Sequence, residues 1–417
     1  MTTNHEVRSA SLKFCRGLFI CAQISRREAS STQYNVHRNA MLRNRSTASL
    51  FATVIFMSFR LKLRHAVATF AAMNARYAAL GFLLTSLFFA PPARADFIYG
   101  RSYVALAAWA RANGFGGYTL NSGSEFILTN KTSRLVFNQD SADSTINGVN
   151  VRLSFPVAKG GFLSQLDADR TIRPLVFPQK PSARKITTIC LDPGHGGRDT
   201  GYRVGRFFPH YEKTYTLALA LELRRQLQLA GFNVILTRDK DVYPELPVRP
   251  DIANRQGADL FISLHFNSFP PDPASVQGPE TYCITPVGAA SSNDAEHEGA
   301  GAGASPANRV GDRSLLLAYL VQRSLVRSLG VTDRSVRRAR FEVLRTAEMP
   351  AILIEGGYMS HPVEGRKIFD AGWRKQMAAA LVRAVLNYQK LTAQPPPATL
   401  PTTNRPAVKI PPAKKKS

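Results

Sequence analysis

Between residues 185 and 392, short apolar runs typical of β-strands alternate along the chain with longer runs that have helical periodicity. Such alternation predicts βαβ units, in which neighbouring strands run parallel and the intervening helices cover the faces of the sheet. We therefore expect an α/β fold with a central, largely parallel sheet flanked by helices. The predicted strands are 186–191, 233–237, 260–265, 280–285 and 351–355, and the predicted helices are 213–230, a short one near 252, 313–329 and 373–388.

A smaller unit is expected before this one, over residues 96–180. Residues 103–113 have helical periodicity and are followed by Gly114, a common helix terminus. Several short strand-like runs come next, and the Asn147-Gly148 pair between two of them favours a β-hairpin. The segment shows no cluster of His, Cys or carboxylate side chains suited to chemistry. We interpret it as a small α+β accessory domain.

The first 95 residues have the composition of a targeting sequence rather than of a folded domain. Residues 73–95 combine a positive residue, Arg76, with an apolar run of 13 residues and a final A-R-A cleavage pattern, as in a secretory signal peptide. The 72 residues before it are rich in Arg and Ser. They favour a later start of translation, at Met73 or Met57, or a basic targeting extension. We expect an exported protein, periplasmic or extracellular, without a stable transmembrane anchor.

Basic residues give the 417-residue chain a net charge of +25. Where these residues lie indicates whether the folded part could bind nucleic acid. The first 95 residues carry +11 and the tail at 393–417 carries +5, whereas the whole predicted α/β unit at 185–392 carries only +5. A nucleic-acid-binding surface needs its charge on the folded part, so we expect no nucleic-acid partner. The tail is rich in Pro and ends in three lysines, which predicts a disordered segment with affinity for anionic polymers of the cell envelope.

Four side chains with acid–base or metal-binding chemistry stand at comparable points of the predicted α/β unit. His195 follows the first strand, His265 and Glu355 end later strands, and Glu212 begins a long helix. In α/β sheets, sites gather at the carboxyl ends of strands. Two imidazoles and one carboxylate are a common ligand set for catalytic zinc, and a further carboxylate can move protons. Each residue alone also fits an ordinary structural role, and spacings of 17 and 53 residues between the ligands do not identify a metal site.

The segments around these residues resemble the zinc-dependent N-acetylmuramoyl-L-alanine amidases of the amidase-3 type. The matching stretches are ICLDPGHGGRDTG, YEKTYTLALALELRRQLQLAGFNVILTRD, VRPDIANRQGADLFISLHFNS and MPAILIEGGYMSHPVEG. The resemblance implies one zinc ion held by His195, Glu212 and His265, with Glu355 as the catalytic glutamate. It also implies hydrolysis of the amide between N-acetylmuramic acid and L-alanine in peptidoglycan. The alternative is an inactive peptidoglycan-binding protein of the same fold.

Two features depart from the pattern of that family. Phe266 stands where the family usually has alanine, and the loop before Glu212 carries the additional run RVGRFFPHY. Both concern the shape of the substrate groove rather than the four key positions. Separately, residues 96–180 resemble, over a shorter and less specific stretch, the copper-amine-oxidase-like N-terminal domain that is appended to secreted bacterial enzymes.

Four further residues are candidates for the parts of the site that support the ligands or bind the substrate. By the same resemblance, Asn254 and Asn267 support the site. Arg249 and Arg345 are candidates for binding carboxylates of the substrate, with a solvated surface position as the equally weighted alternative.

Three remaining features lead to weaker expectations. His210 and His361 are rival imidazoles, which we expect in surface or supporting positions. Cys190 and Cys283 lie in predicted strands, where a disulfide and two buried thiols are both compatible with the sequence. Residues 287–312 are dominated by Gly, Ala and Ser and lack an apolar stripe, which predicts a mobile surface loop rather than an inhibitory helix.

Overall fold

The structure is a computed structural model and describes residues 96–98, 100–121, 123–177, 185–292 and 303–393. The expected signal sequence and basic tail lie outside these residues. The strands are β1 (Asp96–Ile98), β2 (Arg101–Ala105), β3 (Gly117–Asn121), β4 (Glu125–Thr129), β5 (Arg134–Asn138), β6 (Asp143–Ile146), β7 (Val149–Arg152), β8 (Phe162–Ser164), β9 (Thr188–Pro193), β10 (Arg203–Val204), β11 (His210–Tyr211), β12 (Asn233–Leu236), β13 (Leu260–Asn267), β14 (Glu280–Cys283), β15 (Val336–Arg338) and β16 (Ala351–Tyr358).

Helices connect several of these strands. The α-helices are α1 (Leu106–Ala112), α2 (Gln165–Asp167), α3 (Arg173–Val176), α4 (Glu212–Leu229), α5 (Val248–Arg255), α6 (Gly311–Leu329), α7 (Glu342–Arg345), α8 (Glu364–Phe369) and α9 (Ala371–Thr392). A π-helical turn at Ala168–Ile172 joins α2 to α3, and a 3-10 turn at Pro306–Val310 precedes α6. Within the described ranges, no helix is long and apolar enough to cross a membrane.

Eleven of the described strands form one mixed sheet, in the order β12-β9-β13-β16-β14-β15-β7-β6-β5-β4-β3. The pairs β12–β9, β9–β13 and β13–β16 are parallel, which confirms the predicted α/β class with its largely parallel sheet. By contrast, β14 runs antiparallel to β16. The strands from β3 to β7 are antiparallel to one another, and the pair Val336–Val151 joins them to β15.

The accessory segment therefore shares a sheet with the α/β segment, and the domain boundary near residue 180 stays a prediction. Its remaining strands form a small antiparallel sheet in the order β1-β2-β8. Residues 103–105, which we expected at the start of a helix, belong to β2 instead. Tyr103 pairs there with Ser164 of β8, so the helix α1 begins only at Leu106.

Helices cover both faces of the central strands, because successive side chains of a buried strand point to opposite faces. In β16, Ile354 belongs to the core formed with α4, α6 and α9, whereas the neighbouring Leu353 belongs to the core formed with α5 and α7. Both side chains are buried. This packing fixes the central strands firmly, and with them the residues at the strand ends.

The direction of the strands decides what lies at each end of the sheet. Because β9, β13 and β16 are parallel, they all end at one side, which we call the carboxyl end. Since β14 runs the opposite way, residues 284–292 follow it at the other end. There the Ser292 N–H donates to the carbonyl of Arg338, 2.8 Å away, and the Asn308 amide donates to the carbonyl of Thr285, 2.9 Å away. Residues 293–302, the middle of the expected surface loop, lie outside the described residues.

Candidate metal centre

Three of the four key side chains converge at the carboxyl end of the sheet. His195 lies in the loop after β9, His265 lies near the end of β13, and Glu212 is the first residue of α4. His195 Nε2 lies 2.9 Å from Glu212 Oε1, and His265 Nδ1 lies 3.2 Å from each of these atoms. Ligands of tetrahedral zinc, at metal distances near 2.0–2.1 Å, are separated by about 3.3 Å. The three atoms therefore have the spacing that a zinc ion requires.

The backbone of His195 adopts an unusual conformation that aims its ring at this cluster. Its φ is +62°, which is uncommon for a residue with a side chain and is often found at functional sites. Asp199 Oδ2 lies 2.8 Å from His195 Nδ1 and so leaves Nε2 free to face the other two ligands. Burial lowers the pKa of His195, but its hydrogen bonds with Glu212 and Asp199 outweigh this effect and raise the pKa overall.

The carboxylate of Glu212 is buried and held at both oxygens. Oε1 accepts the backbone N–H of Phe266 at 3.1 Å, and Oε2 accepts the backbone N–H of Tyr202 at 3.0 Å. Burial alone would raise the pKa of Glu212, but hydrogen bonds with His195 and His265 lower it well below the usual range. The side chain is therefore ionised, as a metal ligand must be.

Two glycines make room for the ligands. A Cβ atom on Gly194 would lie 2.2 Å from Cε1 of His265, so the imidazole rests directly on the glycine backbone. A Cβ atom on Gly201 would lie 2.6 Å from Oε2 of Glu212, and Gly201 also has a φ of +60°. Neither position accepts a side chain without displacement of a ligand.

Two buried arginines hold the carbonyl groups of the ligand loop. Arg249 is only 1% exposed and donates to the carbonyls of Pro193 and His195, each at 3.0 Å. Arg238 donates to the carbonyls of Pro193 at 2.9 Å and Gly194 at 2.8 Å. We call these two residues the arginine clamp. Three consecutive carbonyls of the loop are thus satisfied by guanidinium groups, whose planar fork suits several acceptors at once.

Asp192 balances the charge of the clamp beneath the loop. Its carboxylate is fully buried, and its Oδ1 lies 2.9 Å from Nη1 of Arg249. Thr237 and Ser263 donate to the same carboxylate at 2.6 and 2.8 Å. The structure therefore places Arg249 behind the site, where it supports the ligand loop and is closed to substrate carboxylates.

The fourth key residue, Glu355, lies beside the ligand cluster. In the sheet it stands opposite His265 of β13 on one side and opposite Glu280 of β14 on the other. Its Oε2 atom is buried without a hydrogen-bond partner among the described residues. Burial, together with the charges of Glu212 and Glu280, raises the pKa of Glu355 well above its usual range. A buried carboxyl group with a raised pKa is a stronger base than an ordinary glutamate.

Glu280 organises the polar residues next to Glu355. It is only 2% exposed, and it accepts hydrogen bonds from Arg334 at 2.9 Å, Tyr358 at 3.1 Å and Asn267 at 3.2 Å. The amide of Asn267 thereby links the end of β13 to β14. Asn267 thus lies at the carboxyl end of the sheet, and its supporting role stays a prediction.

Two of the weaker candidates lie away from the metal cluster. Asn254 donates to the carbonyl of Thr346 at 2.9 Å and accepts the backbone N–H of Glu348 at 3.1 Å, which ties α5 to the loop before β16. Arg345 pairs with Glu342 of its own helix at 2.8 Å, with both side chains largely in solvent. Since β16 carries Glu355 near its far end, both residues stand at the opposite end of the sheet. Neither residue contacts the metal cluster, and the supporting role of Asn254 and the substrate contact of Arg345 stay predictions.

The rival histidines are engaged elsewhere. His210 stacks on Phe369 with ring centroids 4.0 Å apart, and its Nδ1 is hydrogen-bonded to the hydroxyl of Tyr215. His361 is buried, and its Nδ1 accepts backbone N–H groups at the start of α8, including that of Glu364 at 3.2 Å. Both have the supporting positions that we expected.

Phe266 does not shape the open side of the site. The residue is only 1% exposed and belongs to the core beneath the sheet. A Cβ atom on Gly356 would lie 2.8 Å from its ring, so the glycine after Glu355 leaves the space that the aromatic ring fills. The substitution of alanine by phenylalanine is thus accommodated inside the protein.

Sequence reasoning missed three residues of the site, namely Asp199, Arg238 and Glu280. Asp199 had a usable signal, because it follows His195 by four residues in the same glycine-rich loop. Arg238 and Glu280 have no such signal in the sequence. An arginine after a strand and a glutamate at the start of one are ordinary in sequence, and only the fold shows what they contact.

Comparison with known proteins agrees with this geometry. A family model described as N-acetylmuramoyl-L-alanine amidase matches residues 189–387. The N-acetylmuramoyl-L-alanine amidase AmiA of Escherichia coli K12 is 31% identical over 235 residues, which are 50% of this chain and 79% of that protein. AmiC of Neisseria meningitidis is 33% identical over 221 residues, 48% of this chain and 52% of that protein. The chain thus spans about half the length of this second relative.

A solved structure covers a similar share of the chain. The N-acetylmuramoyl-L-alanine amidase of Clostridium difficile 630 is 31% identical, covers 50% of this chain and 98% of its own, and has a TM-score of 0.41. The family model begins after the accessory segment, so the resemblance of residues 96–180 to a copper-amine-oxidase-like domain stays a hypothesis. Because the match at 31% identity extends over 79% of the E. coli protein, the chain belongs to the N-acetylmuramoyl-L-alanine amidase family.

Proposed function

We propose that this protein hydrolyses the amide between N-acetylmuramic acid and the L-alanine of the peptide stem in peptidoglycan. The observation that carries the proposal is the cluster of His195, Glu212 and His265 with the unpartnered Oε2 of Glu355 beside it. The names of the E. coli and Neisseria relatives support the choice of bond. The products are a free lactyl carboxylate on the sugar and a peptide with a new amino terminus at L-alanine.

The proposed metal is a single zinc ion. Its ligands are Nε2 of His195, Oε1 of Glu212 and Nδ1 of His265, whose mutual distances of 2.9–3.2 Å fit one ion between them. When bound, zinc lowers the pKa of a coordinated water and polarises the scissile carbonyl. Three protein ligands would leave room for water or substrate beside the ion.

The protein's own residues carry the proton transfers. Glu355, in its ionised form, accepts a proton from the attacking water, whose oxygen forms a bond to the lactyl carbonyl carbon. The resulting carboxylic acid donates that proton to the alanine nitrogen as the carbon–nitrogen bond breaks. The surroundings that raise the pKa of Glu355 make its carboxylate a stronger base, which favours the first transfer. Asp199 and the arginine clamp keep the ring and backbone of His195 in place during both steps.

The second candidate is a peptidoglycan-binding protein that has lost activity. All four key residues are present, and three of them have ligand spacing. These observations favour the enzyme over the binding protein.

Incubation of the purified protein with peptidoglycan sacculi tests the proposal. We expect release of peptides with amino-terminal alanine, loss of this release after chelation, and recovery with zinc. Glu355→Gln should bind zinc normally and lose about 100-fold or more in turnover, whereas His195→Ala should lose zinc. Glu348→Gln is the matched control, because Glu348 is exposed and lies at the opposite end of the sheet.

Two results would contradict the proposal in different ways. Near wild-type hydrolysis by Glu355→Gln would remove the role assigned to Glu355. A wild-type protein that binds sacculi and zinc but releases no peptide would select the inactive binding protein.

The substrate lies outside the cytoplasm, so the proposed function includes export. The signal-like sequence at 73–95 is in keeping with this, and we propose that it directs the protein to the periplasm or the cell surface. Sequencing the amino terminus of the mature protein tests the proposal, with Asp96 as the expected first residue. We further propose that the basic tail at 394–417 adds salt-sensitive affinity for anionic envelope polymers.

A further inference from the structure

Two adjacent phenylalanines project from a hairpin at the carboxyl end of the sheet. The hairpin consists of β10 and β11, and its turn carries Phe207 and Phe208. These side chains are 84% and 88% exposed. Neighbouring exposed aromatic residues are unfavourable in water, and they commonly mark a binding surface.

The hairpin is ordered although its tip is exposed. Arg203 donates to the carbonyl of Arg206 at 3.0 Å, which closes the turn. At the base, His210 stacks on Phe369. The backbone N–H of Glu212 donates to the carbonyl of Tyr202 at 2.9 Å. The two phenylalanines are therefore presented on a fixed support, which reduces the entropy lost when they bind a ligand.

The hairpin stands at the rim of the metal centre, because its second strand leads directly into Glu212. Another aromatic residue follows the strand of His265. This residue, Phe269, is 40% exposed, and its backbone N–H donates to the hydroxyl of Ser360 at 2.8 Å. Both segments leave the carboxyl end of the sheet. We call Phe207, Phe208 and Phe269 the aromatic rim.

The surroundings of the hairpin tip are positively charged. Arg203 lies in β10 and Arg206 in the turn, and the guanidinium of Arg206 lies 5.7 Å from the ring centroid of Phe207. Arg198, nearer to His195 along the chain, pairs with Glu245 and does not add to this charge. Asp199 is the acidic residue next to Arg198, and its carboxylate is engaged with His195. The rim thus offers apolar ring faces beside cationic groups.

We propose that the aromatic rim binds the glycan strand of peptidoglycan on either side of the muramic acid whose amide is cleaved. The inference rests on the proposed function. In that substrate, only a short lactyl ether separates the scissile carbonyl from the sugar ring. A substrate whose carbonyl reaches the metal centre must therefore have its sugar chain at the rim of the site.

The chemistry of the rim suits sugars better than the peptide stem. A pyranose ring presents a face of C–H groups that packs on an aromatic ring, while its hydroxyl groups stay in water. The arginines beside the rim complement the carboxylates of neighbouring peptide stems. A single sugar offers little of this contact, so the affinity should increase with the length of the glycan.

The test compares substrates of different glycan length. Phe207→Ser/Phe208→Ser should lower kcat/KM by about tenfold or more on soluble chains of several disaccharides, mainly through KM. On a muramoyl peptide with a single sugar, the change should stay within about threefold. Phe269→Ser should show the same dependence on length with a smaller loss. Leu229→Ser is the matched control, since Leu229 is 77% exposed at the far end of α4.

Other outcomes would contradict either the glycan-binding proposal or the proposed function on which it rests. Equal losses on long and short substrates, or no loss on either, would overturn the proposal, with zinc content and melting temperature measured to confirm that the variants are folded. If the double variant kept its activity on long chains but lost binding to phosphatidylglycerol vesicles, the rim would be a membrane contact and the proposal wrong. Failure of the proposed function itself would appear differently, as a wild-type protein that hydrolyses none of the substrates.

Discussion

Replacement of Arg249 by methionine tests whether the arginine clamp holds the metal centre in place. Methionine has a similar length and fills much of the same buried space, but it donates no hydrogen bonds. The change removes hydrogen bonds to the carbonyls of Pro193 and His195 and the ion pair with Asp192. We expect Arg249→Met to destabilise the fold and to weaken zinc binding together.

The expected magnitude follows from the burial of the pair. Arg249 and Asp192 are 1% and 0% exposed, so the carboxylate would be left in the interior without its cation. Loss of one partner from a buried ion pair costs about 3–5 kcal/mol. Thr237 and Ser263 still donate to Asp192, which favours the lower end of this range. Loss of a residue that orients a metal ligand weakens metal affinity by about 10–100-fold.

Two measurements check these values. Chemical denaturation of the metal-free protein gives the change in the free energy of unfolding, and competition with a chelator gives the zinc Kd. Arg255→Met is the matched control on the same helix, because Arg255 is 79% exposed and its ion pair with Asp251 lies in solvent. Such a pair contributes about 1 kcal/mol at most. Arg249→Lys separates the effect of the positive charge from that of the hydrogen-bond geometry. Lysine keeps the charge but lacks the planar guanidinium that donates to several acceptors at once.

Equal values for Arg249→Met and Arg255→Met in both measurements would show that Arg249 supports neither the fold nor the metal centre. A destabilised variant with unchanged zinc Kd would show that Arg249 supports the core and leaves the ligand loop unaffected. Asp192→Asn combined with Arg249→Met removes both charges and should recover part of the lost stability, but not the zinc affinity.

Three further predictions concern other parts of the fold. Asp199→Asn should weaken zinc binding by about tenfold, because the amide is a poorer partner for His195 Nδ1; an unchanged zinc Kd would contradict this. Cys190 and Cys283 should react with a thiol reagent at pH 8 only after unfolding, because burial raises the pKa of both thiols and neither is exposed; rapid labelling of the native protein would contradict this. Deletion of residues 293–302 should leave hydrolysis of sacculi within about threefold of wild type, since the flanking residues lie opposite the metal centre, and a large gain would indicate an inhibitory loop.

The fold decides whether Cys190 and Cys283 can form a disulfide, which the sequence alone does not. The sequence left the pairing of Cys190 and Cys283 open, and the structure has two buried free thiols. Their strands, β9 and β14, are separated in the sheet by β13 and β16. This places them about 14 Å apart at normal strand spacing, well beyond the reach of a disulfide.

The α/β class was predictable because the central strands are apolar and separated by periodic helices. The direction of β14 was missed, although the sequence contains a clue. The connection from β13 to β14 has no helix, and strands joined without a helix usually run antiparallel. The short strand β15 was also missed, because its sequence Val336-Arg337-Arg338 is too short and too charged to show a strand pattern.

In the site, the sequence predicted the location of residues whose place follows from their position in an element. His195, His265 and Glu355 stand at strand ends, which parallel strands bring together. The sequence did not predict the location of Arg249, which we weighed as a substrate ligand or a surface charge. An arginine that is 1% exposed cannot be distinguished in sequence from a solvated one, because its burial depends on the carbonyls and the carboxylate that surround it.

The joining of the accessory segment to the main sheet has a consequence for solubility. A strand with an unpaired side exposes a row of N–H and C=O groups, to which another chain can add. Here β7 covers the open side of β15, and Asn150 fastens the junction through a hydrogen bond to Asp333 at 2.8 Å. The accessory segment therefore covers the edge of β15, and β3 becomes the outer strand at this side of the sheet. A protein trimmed to the amidase segment keeps every metal ligand but exposes the unpaired side of β15, and we expect it to aggregate at lower concentrations than the longer chain.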